Sequence, residues 1–292
     1  MGFNYSVIIP HHNTPDLLRR CIDSIPQRDD LEIIIVDDNS DENIVDFSCF
    51  PGKGKKNTKI IFSKEGRGAG FSRNCGVREA SGIWLIFADA DDYFTSKFND
   101  ILDKYTECNN IDVVFFNALK INEVGRTWNI SLNDIVSNYI KKKRYSEQII
   151  RYGYWTPWSR MFKRHIVVDN NVVFEELPTG NDMMFVLNST KYAKNIAVEE
   201  DVIYMYYFPT GGSQTMKKYT KEYRDLRAES RLKLIKFHKS VNYPFVASMI
   251  PTYNVLTDIS LKPLLKKYNY KILPDVWNFV KIYVAKKIFH LF

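Results

Sequence analysis

Asp89, Asp91 and Asp92 fall within four positions of the stretch IWLIFADADDYF, residues 83–94. Carboxylates so close together repel one another, and leaving them unpaired beside a dry core is costly. A hard divalent cation takes oxygen ligands and relieves that repulsion, usually keeping positions for water and substrate phosphates. One reading is therefore a metal-assisted phosphate site. The other is an acidic turn that caps the following helix, with Thr95 or Ser96 as the cap. The six mostly apolar residues Ile83 to Ala88 read as a strand buried on both faces, so either feature stands at a strand's C-terminal end.

The elements that position these residues repeat a simple pattern. Residues 5–9, 31–36 and 58–62 read as strands ahead of the one at 83–88. Thr14 and Pro15 open a helix with Leu17, Leu18, Cys21, Ile22 and Ile25 on one face. Phe71 to Ala80 form another, stopped by Gly82. Four strands alternating with helices in about 90 residues imply an α/β fold, a mostly parallel sheet flanked by helices. In such sheets ligands bind beyond the C-terminal strand ends. Three strands end there in polar residues: Pro10-His11-His12-Asn13, Asp37-Asp38 and the carboxylate run. Gly66, Gly68 and Gly70 are not followed by GK[ST], so they make a pliable loop and no Walker loop.

Further along, residues 96–108 read as a helix with Phe98, Ile101, Leu102 and Tyr105 inward, and 111–121 as a strand. The segment 122–153 is polar and helix-prone, and its KKKR run at 141–144 reads as a solvated face. Residues 154–187 are aromatic and turn-rich, and 196–208 read as a strand. From 221 on the pattern is helical, broken at Pro244, Pro251, Pro263 and Pro274. In the last segment Val276, Val280, Tyr283, Val284 and Leu291 share one arc, with Lys287 inside it, which fits a membrane-surface helix, packing on the body, or a partner chain.

The net charge of +7 is unevenly placed. Residues 221–292 hold 14 Lys and Arg against 5 Asp and Glu, and residues 1–220 hold 27 against 29. A near-neutral body with a basic tail points to an anionic surface met by the tail. The four cysteines have no CxxC pair, which argues against a zinc site or disulfide framework and fits a reducing cytoplasm. No signal peptide and no apolar run of transmembrane length is read.

SVIIP-HHN, EIIIVDDNSD, GRGAGFSRNCG and WLIFADADD, in that order, resemble the nucleotide-sugar half of family 2 glycosyltransferases with the GT-A fold. PWSRMFKRHIVVDNNVVFEELPTGNDMMF resembles the acceptor half of bacterial capsular, O-antigen and exopolysaccharide enzymes. The resemblance covers residues 4–215. It implies a nucleotide-sugar-binding half at 1–110, an acceptor-binding half at 111–220 and a basic helical C-terminal extension at 221–292.

By the same resemblance, Asp38 binds the nucleobase, with Asp37 as the fallback, and Pro10 and His11 touch base and ribose. His11 and His12 depart from the family's usual Thr or Ser and Tyr or Phe. Arg73 lies near the diphosphate. Asp91 is the direct ligand of a divalent metal, Mn or Mg, and Asp89 holds ribose or metal-bound water, with Asp92 a second-choice ligand. Asp182 is the catalytic base that takes the acceptor's proton, Glu175 and Glu176 being weaker alternatives, and Trp158 lines the sugar or acceptor pocket. Asn181 stands where the family's acidic partner of that base is usual.

The resemblance implies an inverting, metal-dependent hexosyl- or N-acetylhexosaminyl-transferase. The donor expected is a UDP-sugar and the acceptor a glycan on a lipid carrier. The expected setting is the cytoplasm, with the tail at the inner face of the membrane. The alternative is a catalytically inactive glycan-binding or scaffold protein of the same fold, favoured by His11, His12 and Asn181. A haloacid-dehalogenase-type phosphatase needs its DxD at the first strand and a following Thr, where this chain has the fourth strand and Tyr93. A nucleotidyltransferase lacks its glycine-rich basic N-terminal loop, and no nucleic-acid-binding module is present.

Overall fold

The computed structural model describes residues 2–210 and 220–244. The tail segments read as helical beyond residue 244, and most of the glycine-rich loop at 209–213, lie outside the described residues. The chain divides into two compact units, residues 1–214 and 215–292.

In the first unit the order is β1 (Tyr5–His11), α1 (Pro15–Asp23), β2 (Leu31–Asp38), β3 (Thr58–Ser63), α2 (Ala69–Glu79), β4 (Trp84–Phe87), β5 (Tyr93–Phe94), α3 (Lys97–Tyr105), β6 (Val113–Ile121), β7 (Thr127–Asn129), α4 (Ser131–Ile140), α5 (Ser146–Tyr152), β8 (Arg160–Lys163), α6 (Arg164–Val168), α7 (Met183–Tyr192) and β9 (Ile196–Tyr207). All nine strands join one sheet in the order β3-β2-β1-β4-β8-β6-β9-β5, with β7 on β6. β3, β2, β1 and β4 run parallel to one another; β8 is antiparallel to both β4 and β6. β6 and β9 are parallel again. The α/β class and the mostly parallel sheet follow the sequence reading.

Strand alternation sorts the core. Tyr5, Val7, Ile9, Trp84, Ile86 and Ala88 turn to one face and pack with Leu18, Cys21 and Ile22 of α1 and Phe98, Ile101 and Leu102 of α3. Phe87 turns to the other, 5.0 Å from the ring of Phe174 and 5.3 Å from that of Phe185, which stack on each other at 3.7 Å. α2 lies close against this second face. A Cβ at Gly76 would stand 2.3 Å from Ile8 Cγ2, so only glycine admits that approach.

Two features break the simple repeat. β8 enters antiparallel between β4 and β6, and all four of its residues are buried although two are charged. Lys163 donates to the Cys108 carbonyl at 2.7 Å, and Arg160 donates to the Tyr154 carbonyl at 2.9 Å. The turn after β4 does not cap α3: Ser96 makes no side-chain cap bond, and Thr95 Oγ1 donates instead to the Val202 carbonyl at 2.7 Å.

The second unit begins with α8 (Lys221–Ser240), opened by Thr220, whose side chain accepts from the Tyr223 amide. Among the described residues no helix is long and apolar enough to cross a membrane.

Candidate active site

The site is built at the C-terminal ends of β1, β2 and β4. Asp89, Asp91 and Asp92 present one carboxylate oxygen each, all within 4.8 Å of one another. Burial and the charge of Asp89 push Asp91 up to about 6. Asp92 is fully buried; burial and the same neighbours push it up as well. Its Oδ1 accepts from the Tyr207 amide at 2.7 Å, and its Oδ2 is left without a hydrogen-bond partner. Crowded carboxylates with an orphaned buried oxygen fit a hard divalent cation, whose charge would relieve all three.

The loop carrying them is held from two sides. The Asp89 amide donates to the Tyr204 hydroxyl on β9 at 2.9 Å. Arg20 of α1 donates to the Asp91 carbonyl at 2.6 Å, its guanidinium 4.9 Å from the Tyr93 ring and 4.6 Å from that of Tyr207. Neither Arg20 nor Tyr204 is flagged by a sequence motif. Arg20 is one of two adjacent arginines on α1, and Tyr204 is one of three consecutive buried residues of β9.

α2 brings the arginine. It starts after Gly68, whose φ of +87° suits a residue without a Cβ. Both oxygens of Asp38 hold this start: Oδ1 accepts from the Arg67 amide at 3.1 Å and Oδ2 from the Gly68 amide at 2.6 Å. Arg73 on the buried side of α2 donates to Asp89 at 2.5 Å and to Asn181 at 3.0 Å. Asn74 beside it exchanges two hydrogen bonds with the Phe174 backbone, at 2.9 and 2.8 Å. The first half of the chain is thus tied to the segment that carries Asp182. Gly70 permits this approach, since a Cβ there would stand 2.1 Å from the Glu175 carbonyl oxygen.

Asp182 precedes the first turn of α7 without capping it. Burial pushes its carboxyl up; the Arg73 charge pulls the other way and Asp89 adds to the rise. A carboxylate raised in this way, beside a cation and a carboxylate cluster, is suited to take a proton. Glu176 is engaged instead with Arg67.

Other residues of the sequence reading take different places. His11 is 2% exposed. Its Nδ1 meets Asp37 Oδ2 at 2.7 Å, and its Nε2 accepts from the Thr14 amide at 3.1 Å, so both ring nitrogens are spent inside the protein. Burial alone would raise Asp37, but hydrogen bonds from His11 and Ser40 outweigh it and hold the carboxyl below its usual range. Pro10 pairs with Val36 in the ladder, leaving its backbone at the strand exit. Trp158 is 5% exposed and stacks on Tyr204 at 4.9 Å and Tyr206 at 5.6 Å, parallel to both within 10°. The ring expected to line a sugar pocket is packed beneath the carboxylate loop, where it steadies Tyr204.

The sheet order and the strand-end carboxylates define a GT-A fold. The chain belongs to glycosyl transferase family 2, whose model matches residues 6–169. It is similar to the uncharacterized glycosyltransferase EpsJ of Bacillus subtilis, 25% identical over 69% of this chain and 60% of that protein. It is also similar to the poly(ribitol-phosphate) beta-N-acetylglucosaminyltransferase TarS of Staphylococcus aureus, 22% identical over 69% of this chain and 35% of that one. The chain therefore spans 60% or less of the length of these relatives. Among solved structures, residues 1–349 of S. aureus TarS in complex with UDP-GlcNAc match with a TM-score of 0.65 and 19% identity, over 91% of this chain and 79% of that one. The mannosyltransferase PcManGT of Pyrobaculum calidifontis, in complex with GDP-Man and Mn2+, matches with a TM-score of 0.52 and 17% identity, over 89% and 70%.

Proposed function

We propose that this chain transfers a sugar from a nucleotide-sugar, read as a UDP-sugar, to a hydroxyl of a glycan acceptor, with inversion. The observation that carries this reading is the Arg73 bridge, which joins the carboxylate cluster to the residue beside Asp182.

In this reading Asp38 receives a nucleobase N–H; each of its oxygens already accepts one amide and keeps a second lone pair. The Pro10 backbone borders base and ribose, and the buried His11 stiffens that strand exit. Arg73 faces the diphosphate. Asp89 and Asp91 hold a divalent cation, Mn or Mg, with the orphaned Asp92 oxygen behind them. Such a cation supplies positive charge to the leaving diphosphate. Asp182 takes the proton of the acceptor hydroxyl as its oxygen attacks the anomeric carbon. The bond from that carbon to the diphosphate breaks, and the nucleotide leaves with the electron pair. One base and one displacement give inversion.

The acceptor is read as a growing surface glycan on a lipid carrier, met at the inner face of the membrane with the basic extension, residues 221–292, toward the lipid. The free cysteines Cys21, Cys49, Cys75 and Cys108 fit a cytoplasmic setting. The donor half is taken as 1–110 and the acceptor half as 111–220. A non-catalytic glycan-binding protein is the second reading, favoured by Asn181 at the usual acidic position.

Calorimetric titration of UDP, GDP and other nucleotides with and without Mn²⁺, followed by a panel of nucleotide-sugars with glycan acceptors, tests the proposal. Metal-dependent binding with turnover is the expected result. Binding without turnover would support the second reading, and no nucleotide binding would sink the first.

A further inference from the structure

We infer that an aromatic track running from Tyr206 to Trp128 binds an acceptor chain with a negative charge in its repeating unit, phosphodiester or carboxylate. The inference rests on the transferase reading and names the class of its acceptor.

Tyr204, Tyr206 and Phe208 alternate onto one face of β9, and Phe208 continues the ladder by donating from its amide to the Ile121 carbonyl at 2.7 Å. Tyr204 is fully buried, its hydroxyl meeting the Asp89 amide, so Tyr206 is the first ring of the row with an open edge. Tyr206 and Phe208 are half-buried, their rings 6.2 Å apart. Lys120 Nζ then sits 3.5 Å from the Phe208 ring and 6.0 Å from that of Trp128. Arg126 closes the track 5.2 Å from the Trp128 ring. Trp128 stands 37% exposed on β7, a three-residue strand with every position exposed.

The track begins at Tyr206, which feels the charge of all three carboxylates, and ends in solvent at Trp128. Tyr206 to Phe208 covers about 7 Å of strand, and the step across β6 to Trp128 on β7 adds about 10 Å, more than a single sugar needs. Aromatic faces suit the C–H faces of sugars and polyols. The two cations suit an anion: among the described residues neither Lys120 nor Arg126 has a carboxylate partner in an ion pair. The carboxylate of the same hairpin, Glu123, is spent on the Thr210 amide, at 2.9 Å, and on its hydroxyl. Aromatic rings interleaved with cations also suit single-stranded nucleic acid. Continuity with the carboxylate site favours the glycan.

The test is calorimetric titration of the full chain with a ribitol-phosphate hexamer, hexagalacturonate, neutral maltohexaose and hexauridylate. At least one of the two anionic hexamers should bind about tenfold more tightly than maltohexaose. Which one does so separates phosphodiester from carboxylate. Trp128→Ala should weaken that binding about tenfold, and the double variant Lys120→Gln/Arg126→Gln should erase the preference for the anion. Both variants should bind UDP with Mn²⁺ as the wild type does. The inference is overturned if no hexamer binds, if maltohexaose binds as well, if hexauridylate binds best, or if the double variant keeps the preference. The UDP titration of the wild type reads the donor site separately, so its failure would strike the transferase reading itself.

Discussion

Arg73 and Asp89 form a 2.5 Å ion pair in which the arginine side chain is 6% exposed and the aspartate 30%. The planar fork of the guanidinium lets the same side chain hold Asn181 at 3.0 Å. A lysine offers its three donors from one nitrogen and lacks the planar fork that meets both partners in fixed directions. Arg73→Lys should therefore keep the fold and weaken UDP binding about tenfold, as read by calorimetry. Wild-type affinity in this variant would remove Arg73 from the diphosphate site.

Asp91 has the strongest case for a metal contact, burial and then the charge of Asp89 pushing its carboxyl up to about 6. Asp91→Ala should abolish the Mn²⁺ dependence of UDP binding. Equal affinity in wild type and variant, with metal present, would end the assignment of Asp91 as a ligand.

Asp182 lies outside the carboxylate cluster, so its removal should spare the donor. Asp182→Asn should bind UDP within about twofold of wild type and turn over about 10²–10⁴-fold more slowly. The direction of its pH dependence follows from the raised carboxyl. A base works in its ionised form, so kcat falls as pH drops through the folded-state value, and that value lies above the usual Asp pKa of about 4. The residual rate of Asp182→Asn should lack this acid limb. A limb at the ordinary carboxylate position, or one retained by the variant, would assign the base elsewhere.

Asn74 acts through structure alone. Asn74→Ala orphans the amide and carbonyl of Phe174, which are paired by bonds of 2.8 and 2.9 Å. Each buried orphan costs about 1–3 kcal/mol. The midpoint of urea unfolding should fall accordingly, with an unchanged slope. An unshifted midpoint would mean that water repairs both groups.

Much of this was readable from the residue order. β1, β2 and β4 are continuous apolar runs because both their faces are covered, and their polar ends are where the carboxylates appear. β8 was not readable. Four residues are too few for a period, and Arg160 and Lys163 read as surface although the fold buries them, pushing Arg160 down to about 9. β5 and β7, of two and three residues, carry no pattern at all. At the site, residue types pointed to the carboxylates and the family resemblance to Arg73, but the pairing of His11 with Asp37 needs β1 and β2 side by side in register. Trp158 shows the opposite difficulty: an aromatic in a turn-rich stretch suits a sugar wall or a core equally, and only its 10° stack on two tyrosines decides.

The antiparallel β8 has a mechanical meaning. It laces β4 to β6, so hydrogen bonds run unbroken from β3 at one edge through to β9. A two-lobed enzyme that shuts like a jaw needs a crease between its lobes, and this sheet has none. Whatever closing the reaction requires falls to strand-end loops, while the spacing between Asp38 and the carboxylate run is set by the ladder that joins β2, β1 and β4.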